Sequence, residues 1–264
     1  MEGPLDEAMF RTPAEAYDRH VGRYGSALAR KLMAAAGVEP GQRALDVGCG
    51  PGALTSELVA VLGAAGVAAA DPSEPFAAAC QARNPGVEVV VAPGEALPFA
   101  DAAFDVALAQ LAVNFMRDAA AGVGEMARVV RPGGVVGAAV WDYAGEMTLL
   151  RRFWDAAVAL DPAAGERDEN RMPYCSPEEL AALWSVAGLG DVEVVPAVVA
   201  ASYAGFEDLW QPLEAGVGPS GAYVVALAPE QRAAFKDELE RRLEAGDGAF
   251  ELTARAWMVT GAVA

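Results

Sequence analysis

Ala44-Leu45-Asp46-Val47-Gly48-Cys49-Gly50-Pro51-Gly52 is the stretch that decides the fold. An apolar run that reads as a buried strand enters a turn with glycine at every second position. Helical spacing begins at once, with Leu54, Leu58 and Leu62 at i, i+4 and i+8. Glycine suits a backbone that must bend sharply and let a ligand come close. The helix that follows offers unpaired N–H groups and the positive end of its dipole to that ligand. The next apolar run, 67–71, ends in Asp71, where a carboxylate is placed to accept from ribose hydroxyls. A nucleoside-containing ligand is therefore expected over the ends of the first two strands.

Which nucleoside is not settled by glycine spacing, because Gly48-x-Gly50-x-x-Ala53 also satisfies a loose dinucleotide fingerprint. Asp46 argues against that reading. A carboxylate two residues before the first glycine faces the crevice, repels a pyrophosphate and suits an ammonium group. The two lysines, Lys31 and Lys236, make neither a Tyr-x-x-x-Lys pair nor a Gly-x-x-x-x-Gly-Lys phosphate loop.

Outward from this point, apolar runs at 43–48, 67–71, 87–92, 104–110 and 135–141 alternate with helical patterns. Near-continuous apolar runs predict parallel strands covered on both faces. Asp118 is a good N-cap for Val123, Met126 and Val130, and Arg131-Pro132-Gly133-Gly134 turns that helix into the next strand. The alternation predicts an α/β protein with a doubly wound, mostly parallel seven-stranded sheet. After Trp141 the rhythm changes. Helices are predicted at 147–160, 177–188, 206–213 and 229–245, and strands at 191–199 and 252–259. The polar, turn-rich stretch 161–175 reads as a loop or lid. The expected organisation is one domain over 1–264. Residues 25–141 form its ligand-binding half, 142–190 and 200–250 supply helical insertions that cap it, and 251–264 form the last strand.

The 264 residues carry 19 basic and 37 acidic side chains, a formal net charge of −18, which disfavours nucleic acid and anionic membrane surfaces as partners. The first ten residues, MEGPLDEAMF, lack a signal-peptide pattern, and no apolar run is long enough to span a membrane, so a cytoplasmic location is expected. Cys49, Cys80 and Cys175 are scattered without a Cys-x-x-Cys pair, and His20 is the lone histidine, so no metal site is expected.

Four segments in order carry a resemblance to a known family: LDVGCGPG at 45–52, ADPSEPFAAAC at 70–80, GEALPFADAAFDVALAQ at 94–110 and EMARVVRPGG at 125–134. The chain resembles the class I S-adenosylmethionine-dependent methyltransferases, in the branch with the ubiquinone- and menaquinone-biosynthesis and natural-product enzymes. The resemblance is firm over 17–141. It implies S-adenosylmethionine as cofactor and methyl transfer to a small-molecule acceptor. That cofactor has an ammonium, a sulfonium and no phosphate, which agrees with Asp46.

By the same resemblance, Asp46, Gly48, Cys49, Gly50 and Gly52 form the cofactor loop. Asp71 binds the ribose, and Pro72 and Ser73 lie beside the adenine. Gly94, Glu95 and Ala96 surround the adenine, although Pro93 stands where many relatives have an aspartate. Gln110 and Leu111 sit near the transferred methyl. Tyr17 and Arg23 belong to a segment that covers the cofactor, with Arg23 a partner for its carboxylate. The aromatics Trp141, Tyr143, Phe206 and Trp210 are candidates for an acceptor pocket, whereas Phe153 and Trp154 read as core. His20 is the candidate general base if the acceptor arrives protonated. Two other readings stay open: a protein that keeps the cofactor as a scaffold without methyl transfer, and a dinucleotide-dependent oxidoreductase, which Asp46 opposes.

Overall fold

The computed structural model describes residues 19–246 and 248–264; Tyr17 lies outside the described residues. The strands are β1 (Ala44–Val47), β2 (Val67–Asp71), β3 (Glu88–Val91), β4 (Phe104–Gln110), β5 (Val130–Trp141), β6 (Gly190–Tyr203) and β7 (Phe250–Ala262). They form one seven-stranded sheet in the order β3-β2-β1-β4-β5-β7-β6. β1 to β5 are parallel neighbours, and β7 runs antiparallel between β5 and β6. The composition follows the position. Every residue of β1 and β2 is buried, while the edge strand β6 alternates buried and exposed residues from Pro196 onward.

The helices are α1 (Gly25–Ala35), α2 (Ala53–Leu62), α3 (Glu74–Arg83), α4 (Ala119–Val129), α5 (Thr148–Leu160), α6 (Pro177–Val186), α7 (Phe206–Glu214), α8 (Gly218–Ala226) and α9 (Pro229–Leu243). The local signals account for their starts. Asp118 accepts from Ala121 N at the head of α4, and Ser176 accepts from Glu179 N at the head of α6. None of the described helices is long and apolar enough to cross a membrane.

Three differences from the sequence reading have physical causes. Arg131–Gly134 is not a turn ahead of the strand but a bulge within β5, where the register on β4 shifts between Phe104↔Val130 and Val106↔Val135. Gly133 N is satisfied there by Val263 O at 2.8 Å. The stretch 142–190 is not all cap. α6 packs on β6, β7 and α4, and the buried Trp184 donates from Nε1 to Val136 O at 3.0 Å. The stretch 161–175 is not a loose lid either. It folds into two short 3-10 turns, Pro162–Arg167 and Glu169–Arg171, capped by Asp161 and Asp168. Arg151 of α5 holds Asp168 through two guanidinium nitrogens.

The cap consists of α5, α7, α8 and α9. Its centre is a cluster of Phe153, Trp154, Tyr223 and Phe235, with ring centroids 4.8–5.9 Å apart. Edge-to-face packing of this kind fixes the helices beyond the gain from burial alone. The cap stands over the carboxyl ends of β1, β4 and β5, next to the point where strand order reverses between β1 and β4. That reversal is the place where open α/β sheets leave a ligand crevice.

Candidate active site

β1 delivers Asp46 to the crevice fully buried, at 0% exposure. Its Oδ2 accepts from the Thr55 hydroxyl of α2 at 2.6 Å, and its Oδ1 is buried with no partner among the described residues. Burial pushes the carboxyl up to about 8, against the lowering effect of the Thr55 hydrogen bond. A buried acceptor without a donor is costly, and a ligand ammonium is the group that would relieve it.

The turn after β1 is held from β2. Gly48 N and Cys49 N both donate to Ala70 O, at 2.8 and 3.1 Å. Asp71 spreads its two oxygens over the loop, accepting from Gly50 N and Ser73 N at 2.8 Å each. Gly50 has φ +51°, and a Cβ there would meet nothing within 4 Å, so this glycine faces open space. A Cβ on Gly48 would lie 2.4 Å from the Ala112 Cβ. Gly48→Ala is therefore expected to destabilise the fold by about 2–4 kcal/mol, from positive φ and overpacking together, read as a lower midpoint in denaturant.

The loop opens into a cavity of about 1160 Å³. Its wall continues through Pro72, Ser73, Glu74 and Phe76, then Pro93, Gly94 and Glu95, then Gln110, Leu111, Phe115 and Met116, and under the cap through Trp141, Tyr143, Leu150 and Val217. That is more than the roughly 300–1,000 Å³ of a typical single-ligand pocket. The lining carries the carboxylates of Asp46, Asp71, Glu74, Glu95, Asp118 and Glu169 against the guanidinium of Arg117. An acidic wall of this kind favours a cationic ligand and disfavours a pyrophosphate.

The family model described as "Methyltransferase domain" matches residues 45–137. Residues 45–137 are thus similar to a methyltransferase domain. The chain is 37% identical over 149 residues to a malonyl-[acyl-carrier protein] O-methyltransferase from Pseudescherichia vulneris, covering 56% of this chain and 58% of that protein. It spans about half the length of the curated relatives it matches. In fold it resembles the YcgJ protein from Bacillus subtilis, with a TM-score of 0.57, 16% identity, and 89% and 97% of the two chains covered. It resembles the [4+2]-cyclase SpnF equally well, with a TM-score of 0.56, 20% identity, and 90% and 80% covered.

The fold brings most of the expected residues together. Asp46, Gly48, Cys49, Gly50, Asp71, Pro72, Ser73, Gly94, Glu95, Gln110 and Leu111 all line the cavity. Gly52 and Ala96 do not. A Cβ on Gly52 would face Asn84 Nδ2 at 2.7 Å and Cys80 Sγ at 2.9 Å, so this glycine admits α3 rather than a ligand. Ala96 N is turned back onto Pro93 O. Glu95 is more than a solvated loop carboxylate, because its Oε1 accepts from Arg117 N and Asp118 N at 2.8 and 3.3 Å. It ties the loop after β3 to the approach of α4. Gln110 donates from Nε2 to Gly25 O at 3.1 Å, and its Oε1 is a second buried acceptor without a partner among the described residues.

The cap residues divide. Trp141 and Tyr143 line the cavity as expected, whereas Phe206 and Trp210 do not. α7 turns its apolar face toward α9, where Trp210 lies 6.1 Å from the Phe235 ring and beneath Lys236 Nζ at 5.5 Å. Arg23 is also committed elsewhere. Its Nη2 donates to Asp208 Oδ1 at 2.5 Å, its Nη1 to Ser202 O at 3.1 Å, and its guanidinium stacks on Tyr203 at 4.8 Å. Arg23→Met is expected to leave cofactor affinity within about twofold while costing about 1–2 kcal/mol of stability, checked by titration calorimetry and by denaturation.

His20 does line the cavity, at 3% exposure and 3.4 Å from Ser220 Oγ. Burial and the Arg23 charge lower it to about 4, so the imidazole is neutral at neutral pH and a weak base. Sequence reasoning missed Phe115, Met116, Glu169 and the start of α8 at 217–220. The Gly-Val-Gly-Pro run at 216–219 was a usable signal for a helix start, with Pro219 in its first turn. Nothing in the polar stretch around Glu169 marks it as buried.

Proposed function

We propose that this chain is an S-adenosylmethionine-dependent methyltransferase acting on a small-molecule acceptor in the cytoplasm. The observation that carries the reading is a pair of acceptors without a partner among the described residues, Asp46 Oδ1 and Gln110 Oε1, in one acidic cavity with the β1 glycine turn and Asp71. Asp46 would take the cofactor ammonium, Asp71 the ribose hydroxyls, and Pro72, Ser73, Gly94 and Glu95 the adenine. When bound, S-adenosylmethionine supplies a methyl group on a sulfonium with a neutral thioether as leaving group.

The chain's own residues then align and exclude. Leu111, with φ +58° and its N–H on Ala139 O at 2.8 Å, fixes the backbone at the end of β4 beside the reacting centre. Trp141, Tyr143, Leu150 and Val217 enclose an apolar acceptor body and keep water out. His20 serves this wall rather than proton transfer, because its lowered basicity makes it a poor base. The curated relative named for malonyl-[acyl-carrier protein] O-methylation supports methyl transfer as the reaction class.

A second reading keeps the cofactor as scaffold, since the same fold occurs in a [4+2]-cyclase. Two measurements decide. Calorimetry is expected to give S-adenosylhomocysteine binding and no NADH binding; the reverse overturns the cofactor assignment. A metabolite screen with isotope-labelled methyl donor is expected to yield labelled product. A protein that binds the cofactor and transfers no label to any extract is a scaffold.

A further inference from the structure

The 3-10 turn Glu169–Arg171, between α5 and α6, contributes a carboxylate to the cavity wall. Glu169 is 7% exposed and lines the same cavity as Trp141, Tyr143 and Leu150. Its Oε2 accepts from Trp154 Nε1 at 3.0 Å. Its Oε1 takes no hydrogen bond from any described residue. The side chain is held from behind. Trp154 belongs to the aromatic centre of the cap, and the neighbouring Asp168 is clamped by Arg151. A carboxylate fixed this firmly in an apolar wall, with an oxygen left over, is built to meet a donor.

We propose that Glu169 recognises the acceptor, and that the acceptor carries a hydrogen-bond donor, hydroxyl or amine, on an apolar body. The inference rests on the cofactor reading of the cavity, since it assigns the cofactor to the glycine turn and the space under the cap to a second molecule. The donor meets Oε1, while Tyr143, Leu150 and Val217 hold the apolar part. Above about pH 7, where Glu169 is ionised, a carboxylate head group is repelled from this wall. Burial pushes the Glu169 carboxyl up to about 7, opposed by the Trp154 hydrogen bond and the Arg151 charge, so the wall is unsettled until a donor arrives.

The test uses three probes with one apolar body: 4-phenylbutylamine, 4-phenylbutan-1-ol and 4-phenylbutyrate. Binding to the full chain saturated with S-adenosylhomocysteine is followed by ligand-observed NMR at about pH 8.5, where Glu169 is ionised and the amine is still protonated. The amine and the alcohol are expected to bind at least about tenfold more tightly than the butyrate, and Glu169→Leu to erase that preference. Equal binding of the three probes to wild type, or a preference that survives in Glu169→Leu, overturns the proposal. Prior titration of each protein with S-adenosylhomocysteine separates the two levels. If wild type does not bind it, the cofactor reading falls and this inference with it. If only Glu169→Leu does not bind it, the near-isosteric Glu169→Gln decides: the amine must lose its advantage over the butyrate, and a retained advantage overturns the proposal.

Discussion

Asp46→Asn is expected to raise the stability of the ligand-free protein while removing most of its affinity for S-adenosylhomocysteine. In the folded chain, burial holds the Asp46 carboxyl at about 8, whereas in the unfolded chain it ionises near 3.8. Between those values the folded state keeps a proton that the unfolded state releases, so stability falls as pH rises through this window. The cost is absent below about pH 4 and complete above about pH 8. At about 1.4 kcal/mol per pKa unit, it is on the order of 4 kcal/mol at neutral pH. Asparagine removes the titration and still accepts from the Thr55 hydroxyl.

The variant should therefore melt above wild type near pH 8 and converge with it near pH 4. Its affinity should fall by about ten- to a hundredfold, because a charged acceptor for the ligand ammonium is gone. Wild-type binding below pH 8 should also release close to one proton, since the neutral carboxyl must ionise to pair with the ammonium. Calorimetry in two buffers of different ionisation heat measures that proton, and Asp46→Asn should show none. A variant that is less stable at pH 8, or that binds as tightly as wild type, would falsify this account of the site.

Asp71→Ala has the second large effect, and the structure makes it larger than the loss of ribose contacts alone. Both carboxylate oxygens already accept backbone N–H groups, from Gly50 and Ser73. Alanine strands two half-buried donors and releases the turn that Gly50 anchors. Loss of two charge-assisted hydrogen bonds to the ribose amounts to about 3 kcal/mol, and the cost of reordering the released turn adds to it, so cofactor affinity should drop by more than about a hundredfold. The turn should also exchange its amide hydrogens faster, with Gly50 N and Ser73 N first. Unchanged affinity with faster exchange would mean that Asp71 braces the loop without touching the ligand.

Legibility in the sequence followed the range of the interaction. The strand runs, the glycine turn after β1, Asp71 at the end of β2 and the caps at Asp118 and Ser176 are local, and each has its cause within a few residues. The bulge at Arg131–Gly134 was misread because its partner is β7, more than a hundred residues away: Pro and Gly signal a break, and only the Val263 carbonyl shows that the break is inside a strand. Arg23 was misassigned for the same reason, since Asp208 and Tyr203 claim its guanidinium from across the molecule. Trp210 and Trp141 look alike as sequence, yet one faces α9 and the other the cavity.

The sequence by itself determined the doubly wound sheet, the position of the ligand crevice and the two aspartates in it, because strand period, turn chemistry and the residue after a strand end are set by the backbone nearby. The tertiary structure decided which side chains reach the second half of the cavity. Glu169 comes from a polar stretch that reads as solvent-exposed. It is buried because the Arg151 guanidinium draws its neighbour Asp168 onto α5 and the Trp154 indole offers it a donor. A carboxylate enters an apolar wall only when partners distant in sequence offset its desolvation, and those partners are brought together only by the fold.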